Sequence, residues 1–145
     1  MAGRVKVSCA HCGSTNYYPI NVSGKKVVCG RCKNILSRPG TVIEPDAPHV
    51  HDLFRNSSLP LLIDFHSPSC APCQIMNPVV ENLAKRRTGE VMVIRVNVDQ
   101  HPELGASFGV KGVPTFIVMR KGNERGRTTG AMSETDFALW VASKI

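Results

Sequence analysis

The sequence contains no run of 18 apolar residues, the length a helix needs to cross a bilayer, so no transmembrane segment is expected. Met1 to Gly13 holds no apolar stretch of the kind a secretory leader carries, and no leader is expected either. Internal repeats and low-complexity tracts are also missing, which sets repeat architectures aside. The first forty residues lack any Asp or Glu. They hold Arg4, Lys6, Lys25, Lys26, Arg31, Lys33 and Arg38, so the whole net charge of +7 sits there, while the acids and bases of residues 41–145 balance. With no leader in view a cytoplasmic setting is the default. Six cysteines in that setting point to metal and redox work rather than to structural disulfides.

What is present describes a soluble globular protein: 145 residues, 42% hydrophobic and 20% charged. That length holds one ordinary domain of about 100 residues and a small appendage. The stretch Leu61-Leu62-Ile63-Asp64-Phe65-His66-Ser67-Pro68-Ser69-Cys70-Ala71-Pro72-Cys73 organises the larger part. A short apolar run predicts a buried strand. A Pro-bearing turn follows, then two cysteines with two residues between them, then a helical pattern to about Arg87. A thiolate at Cys70 would meet the unpaired N–H groups and positive dipole of the helix start, which lowers a thiol pKa from its free value of about 8.5. Cys73, one turn further in, is expected to be less exposed. Cys70 then attacks a disulfide and Cys73 resolves the mixed disulfide by attacking the Cys70 sulfur. The alternative is half of a metal site, because C-x-x-C is also zinc spacing, but the other four cysteines already make two complete pairs.

Those pairs are Cys9-Ala10-His11-Cys12 and Cys29-Gly30-Arg31-Cys32, sixteen residues apart. Two such knuckles, with Gly13 and Gly30 at the turns, can wrap four thiolates around one Zn2+. So short a segment buries too little to offset its chain entropy, and the metal is expected to supply most of its folding free energy. Residues 1–36 therefore read as a zinc-ribbon-like module. A purely structural or protein-docking role, nucleic-acid binding through the basic excess with Tyr17 and Tyr18, and redox-sensitive zinc release all stay open.

Residues 37–40, Ser-Arg-Pro-Gly, predict a linker, and residues 41–145 a second domain. Thr41 to Glu44 predicts an edge strand and Asp46 to Asn56 a short helix burying Val50, Leu53 and Phe54; His49 and His51 read as surface residues. Asp64 is the exception inside its apolar run. Partial desolvation is expected to raise its pKa, which suits a group that exchanges a proton with the resolving thiol. Pro78 falls inside the helical pattern and predicts a kink. Val91 to Val98 reads as a strand covered on both faces, and Pro102 to Phe108 as a helix. Pro114, at the start of the strand to Met119, costs a ladder hydrogen bond and asks for a reason. Lys121 to Glu124 predicts a hairpin turn, Gly130 an interruption of the next strand, and Ser133-x-x-Asp136 the cap of a last helix burying Phe137, Trp140 and Val141.

Asp64-Phe65, Cys70-x-Pro72-Cys73, Pro78, Val98-Asp99, Gly112-Val113-Pro114-Thr115, Gly122 and Gly130 together resemble the thioredoxin family over residues 41–145. With the knuckles added, the whole chain is similar to the zinc-containing thioredoxin-2 type of bacteria. The resemblance implies an α/β thioredoxin fold, a mixed sheet with helices on both faces, and a cis Val113-Pro114 bond beside the dithiol. It makes Cys70 the nucleophile, Cys73 the resolving thiol and Asp64 the buried proton acceptor. Ala71, Pro72, Val113 and Pro114 become the substrate-binding wall, where backbone pairs with the bound segment as an added strand. Arg95 falls where the family commonly has Lys.

The implied activity is reduction of protein disulfides by a monomer, recharged by an NADPH-dependent thioredoxin reductase, with one structural Zn2+ on Cys9, Cys12, Cys29 and Cys32 and no organic cofactor. Two departures from the family pattern stand out: Ser69-Cys70-Ala71-Pro72-Cys73 replaces W-C-G-P-C, and His66 stands where Trp is common. A cationic His66 would lower the Cys70 pKa further and raise the potential toward an isomerase or oxidant; alternatively His66 faces solvent without effect. A nucleic-acid-binding ribbon on a thioredoxin-like scaffold is the rival from another class.

Overall fold

The computed structural model describes residues 4–19, 27–36, 42–44 and 50–145. Residues 37–40, the expected linker, lie outside that set, as do Thr41 and Asp46 to His49. A five-stranded sheet forms the centre. Its strands are β3 (Val42–Ile43), β4 (Leu61–His66), β5 (Met92–Asn97), β6 (Thr115–Arg120) and β7 (Asn123–Thr129), in the order β3-β5-β4-β6-β7. β5 runs parallel to both β3 and β4, whereas β4–β6 and β6–β7 are antiparallel.

Strand side chains alternate between faces, and here both faces are apolar. Leu61, Ile63, Phe65, Met92, Ile94, Val96 and Ile117 point one way, against Leu53 and Phe54 of α1 (Val50–Asn56) and Leu104 of α3 (Pro102–Ser107). Leu62, Val93, Phe116 and Val118 point the other way. They meet Met76, Val80 and Leu83 of α2 (Ala71–Arg86), and Phe137 and Val141 of α4 (Glu134–Lys144). Asp64 pairs with Arg95 across β4 and β5, two positions beyond the Leu62–Val93 pair. By parity both belong to the α2 face, beside the apolar Leu62, Val93 and Phe116.

The N-terminal segment is a hairpin of β1 (Arg4–Ser8) and β2 (Thr15–Pro19), followed by a bridge between Val28 and Ile35. It does not stand apart. Val5, Val7, Tyr18 and Leu36 join the same apolar cluster as Leu53, Phe54 and Leu61. The Lys6 N–H donates to Ser58 Oγ at 2.9 Å, and the Ser58 N–H donates to the Lys6 carbonyl at 3.0 Å.

α2 runs through Pro78 to Arg86, close to its expected end, with Met76, Val80 and Leu83 buried on either side of the proline. Other elements differ locally from their sequence-based expectations. Gly130, at φ 98°, ends β7 rather than interrupting it. Lys121 (φ 50°) and Gly122 (φ 82°) form the two-residue turn that the twist of a hairpin favours. Ser133 Oγ accepts the Asp136 N–H at 3.1 Å as expected of a cap, but Trp140 is only half-buried beside Phe137.

Candidate active site and metal centre

Strand β4 ends at His66, and a three-residue turn hands the chain to α2. Cys70 is the N-cap of that helix, with extended backbone (φ −91°, ψ 112°), and its Sγ accepts the Cys73 N–H at 3.1 Å. No acidic residue occupies the first turn, so the positive end of the helix is left for the sulfur. Cys70 and Cys73 are disulfide-bonded. Cys73 is 2% exposed and Cys70 half-buried, which matches the expected order of attack and resolution.

The turn is held by a contact that sequence gave no sign of. Buried Ser67 donates its hydroxyl to Asp99 Oδ2 at 2.6 Å, and its carbonyl accepts the Cys70 N–H at 3.1 Å. The partners are 32 residues apart, and only the His66–Asn97 register of β4 and β5 brings them together. On the other side, the Val113 carbonyl oxygen lies 3.6 Å from Cys70 Sγ, and the Val113-Pro114 bond is cis as the resemblance implies. Ala71 and Pro72 are exposed beside it, whereas Pro114 is buried beneath. Ile75 was not anticipated. It is 64% exposed one turn beyond Ala71, off the buried stripe of Met76, Val80 and Leu83, a placement a helical wheel would have given.

Asp64, six residues before Cys70 on β4, is 2% exposed, with Oδ2 3.2 Å from Arg95 Nε. Burial raises its pKa to about 6, outweighing the pull of the Arg95 guanidinium. The Arg95 guanidinium also reaches Glu81 of α2 at 3.9 Å. His66 shares Asp64's face of β4. Its Nε2 is 3.7 Å from Glu44 Oε1, and its side chain is only 12% exposed. Burial, followed by the nearby Arg95 charge, lowers its pKa. His66 is therefore neither the cation beside Cys70 nor the solvent-facing bystander that the sequence suggested.

The four remaining cysteines converge. The Sγ atoms of Cys9, Cys12, Cys29 and Cys32 all lie within 4.8 Å of one another, with Cys9–Cys32 and Cys12–Cys29 at 3.6 Å. A tetrahedral ion with metal–sulfur bonds of about 2.3 Å requires sulfurs about 3.8 Å apart, so the set fits. Each knuckle repeats the same turn. The Gly13 and Lys33 N–H groups donate to the Cys9 and Cys29 carbonyls, and both residues take positive φ, 80° and 66°. The His11 and Arg31 N–H groups point at the Cys9 and Cys29 sulfurs at 3.3 and 3.4 Å. Burial pushes the Cys9 thiol up to about 12. Burial also opposes the Cys29 thiolate, but hydrogen bonds led by Ser14 overcome it and bring Cys29 down to about 5. Together the four sulfurs could hold one metal ion.

Fold and site together define a class, the proteins that exchange disulfides through a cysteine pair capping a helix. The thioredoxin family model matches residues 42–143. Thioredoxin C-3 of Corynebacterium nephridii is 30% identical over 139 residues, covering 96% of this chain and 94% of that protein, so the likeness extends into the N-terminal segment. Thioredoxin 1 of Chlorobaculum tepidum is 41% identical over 86 residues, covering 59% of this chain and 85% of its own length. Among solved structures, the N21Q mutant thioredoxin from Halobacterium salinarum superposes with a TM-score of 0.65 at 27% identity, covering 75% of this chain and 95% of its own. The chain belongs to the thioredoxin family, the protein-disulfide oxidoreductases. Among the described residues no helix is long and apolar enough to cross a membrane.

Proposed function

We propose that the protein reduces disulfides of other proteins in the cytoplasm, is returned to its dithiol form by an NADPH-dependent thioredoxin reductase, and carries one structural Zn2+ on Cys9, Cys12, Cys29 and Cys32. The observation that supports this best is the setting of Cys70, at a helix N-terminus, against the Val113 carbonyl, with Cys73 buried behind it.

In the dithiol state the Cys70 thiolate is stabilised by the N–H groups of α2 and is the more open of the two sulfurs. It attacks one sulfur of the substrate disulfide. A Cys70–substrate bond forms, and the first substrate thiolate leaves with the electron pair. Asp64 takes the Cys73 proton, the Cys73 sulfur attacks Cys70 Sγ, and the second substrate thiolate leaves. Two electrons have passed to the substrate, and the Cys70–Cys73 disulfide remains. Ala71, Pro72 and Val113 line the surface the substrate segment would lie on, with Ile75 as an exposed apolar contact at its edge. A Zn2+ held by Cys9, Cys12, Cys29 and Cys32 would supply a cross-link between the two knuckles, and so help hold β1 and β2 against α1.

The absence of aromatic side chains at positions 66 and 69 favours a second reading, an isomerase or oxidant of raised potential. Neutral His66 argues against it, since no added positive charge stabilises the Cys70 thiolate. Reduction of insulin disulfides with NADPH and a thioredoxin reductase tests the proposal. NADPH consumption that requires both Cys70 and Cys73 is expected. Failure to turn over with active reductase would overturn it.

A further inference from the structure

Asp64 has a task that the dithiol chemistry alone leaves unfinished. Each cycle gives it a proton from Cys73, yet at 2% exposure it has no direct path to water. Arg95 and His66 are the polar side chains beside it on its face of the sheet. Arg95 borders an open cleft of about 460 Å3, lined also by Glu44, Glu81 and Lys85 beside the edge strand β3, and His66 reaches it through Glu44. A guanidinium does not release its proton in a protein, so Arg95 cannot carry one out. An imidazole can.

The geometry fits that use. Asp64 and His66 are two residues apart on one strand face, about 6.6 Å along the strand, so their side chains stand next to each other on that face. Asp64 Oδ1 and His66 Nε2 are both buried without a hydrogen-bond partner. Nε2 also lies 3.7 Å from Glu44 Oε1, and Glu44 is 63% exposed at the mouth of the cleft. We propose that His66 is the proton relay between Asp64 and solvent, with the Glu44 carboxylate steadying the transient imidazolium. This rests on the dithiol mechanism proposed above and adds a residue to it.

The step balances simply. The Asp64 carboxyl passes its proton to neutral His66, and the imidazolium releases it to water beside Glu44, so Asp64 returns to carboxylate. When the disulfide is reduced again the proton runs inward by the same route and meets the Cys73 thiolate. The charged groups around His66 are Asp64 on β4, Arg95 on β5, Asp99 just beyond β5 and Glu44 just beyond β3; Glu81 of α2 faces Arg95. Burial moves the two partners toward each other, Asp64 up to about 6 and His66 below its ordinary value, so neither holds the proton strongly near neutral pH. His66 acts through Asp64 and touches no reacting sulfur.

The test is a stopped-flow reaction of the reduced full chain with 5,5′-dithiobis(2-nitrobenzoate) in non-imidazole buffer at pH 5.5, where Asp64 starts mostly protonated and must pass its proton outward before it can take the one from Cys73. The first coloured thiolate reports attack by Cys70, and the second reports resolution by Cys73. His66→Ala and His66→Gln are expected to lower the ratio of second-phase to first-phase rate by about a hundredfold, the low end for loss of a proton-transfer group. Added imidazole should restore it in His66→Ala. Gln keeps the side-chain bulk, so a loss in both variants separates proton transfer from packing. An unchanged ratio in either variant, or a loss that imidazole does not restore, would overturn the relay. A wild-type protein with no second phase would remove the dithiol mechanism itself.

Discussion

Replacing Asp64 with Asn should make the protein more stable at high pH, and the gain should fade as the pH falls. The carboxyl has a folded-state pKa of about 6 against an ordinary value of 3.8. The folded state therefore binds the Asp64 proton more tightly than the unfolded chain does. Stability from this group is fully present below about pH 3.8 and is lost as pH rises through about 6. The full loss is about 2.2 pH units at about 1.36 kcal/mol each, or about 3 kcal/mol. Asn cannot ionise and escapes it. Between pH 4.5 and 8 the stability gap between Asp64→Asn and wild type should widen by about 2 kcal/mol in favour of Asn. Both proteins share every other titrating group, including the knuckle thiolates, so those contributions cancel in the difference. Urea unfolding of the oxidised proteins across that range measures it. A gap that stays flat, or that closes toward high pH, would refute the placement of Asp64 as a carboxyl held uncomfortably ionised beside Arg95. The same variant should slow the resolving step by about a hundredfold, since it cannot take the Cys73 proton.

Cys73→Ser should accumulate a mixed disulfide with substrate through Cys70, seen by mass spectrometry and cleared by added thiol; Cys70→Ser should form none. Removing the metal with a chelator should loosen α1 as well as β1 and β2, because Val5, Val7, Tyr18 and Leu36 share an apolar cluster with Leu53 and Phe54. Amide exchange that speeds up in residues 4–36 alone would contradict that coupling. Ser67→Ala should cost about 1–2 kcal/mol of unfolding free energy, since it removes a buried donor to Asp99. An unfolding free energy equal to wild type would count against it.

The chemistry of this chain was legible where it depends on residue type and short spacing. C-A-P-C before a helical pattern, two further C-x-x-C pairs, and an acid inside an apolar strand each announce themselves locally, and the structure brings each set together. The near-continuous apolar run Val91 to Val98 also announced a strand covered on both faces. What could not be read depends on register between distant strands. Ser67 meets Asp99, and Glu44 meets His66, only because β3, β5 and β4 lie side by side in that order. His66 was misjudged for the same reason. Its parity with Asp64 was visible, but the acid beyond the edge strand and the Arg95 that lowers its pKa were not. The docking of the N-terminal hairpin was likewise hidden, because Val5 and Val7 look the same whether they close a small module or cover α1.

The equilibrium potential of the Cys70–Cys73 couple, measured in thiol–disulfide buffers with the metal retained, bears most directly on the claim that this is a reductant. A neutral His66, turned toward Glu44, gives the Cys70 thiolate no extra stabilisation. The expected value is therefore near the general reductant level of about −270 mV. A value of about −180 mV or higher would contradict the account and make the protein an isomerase or oxidant.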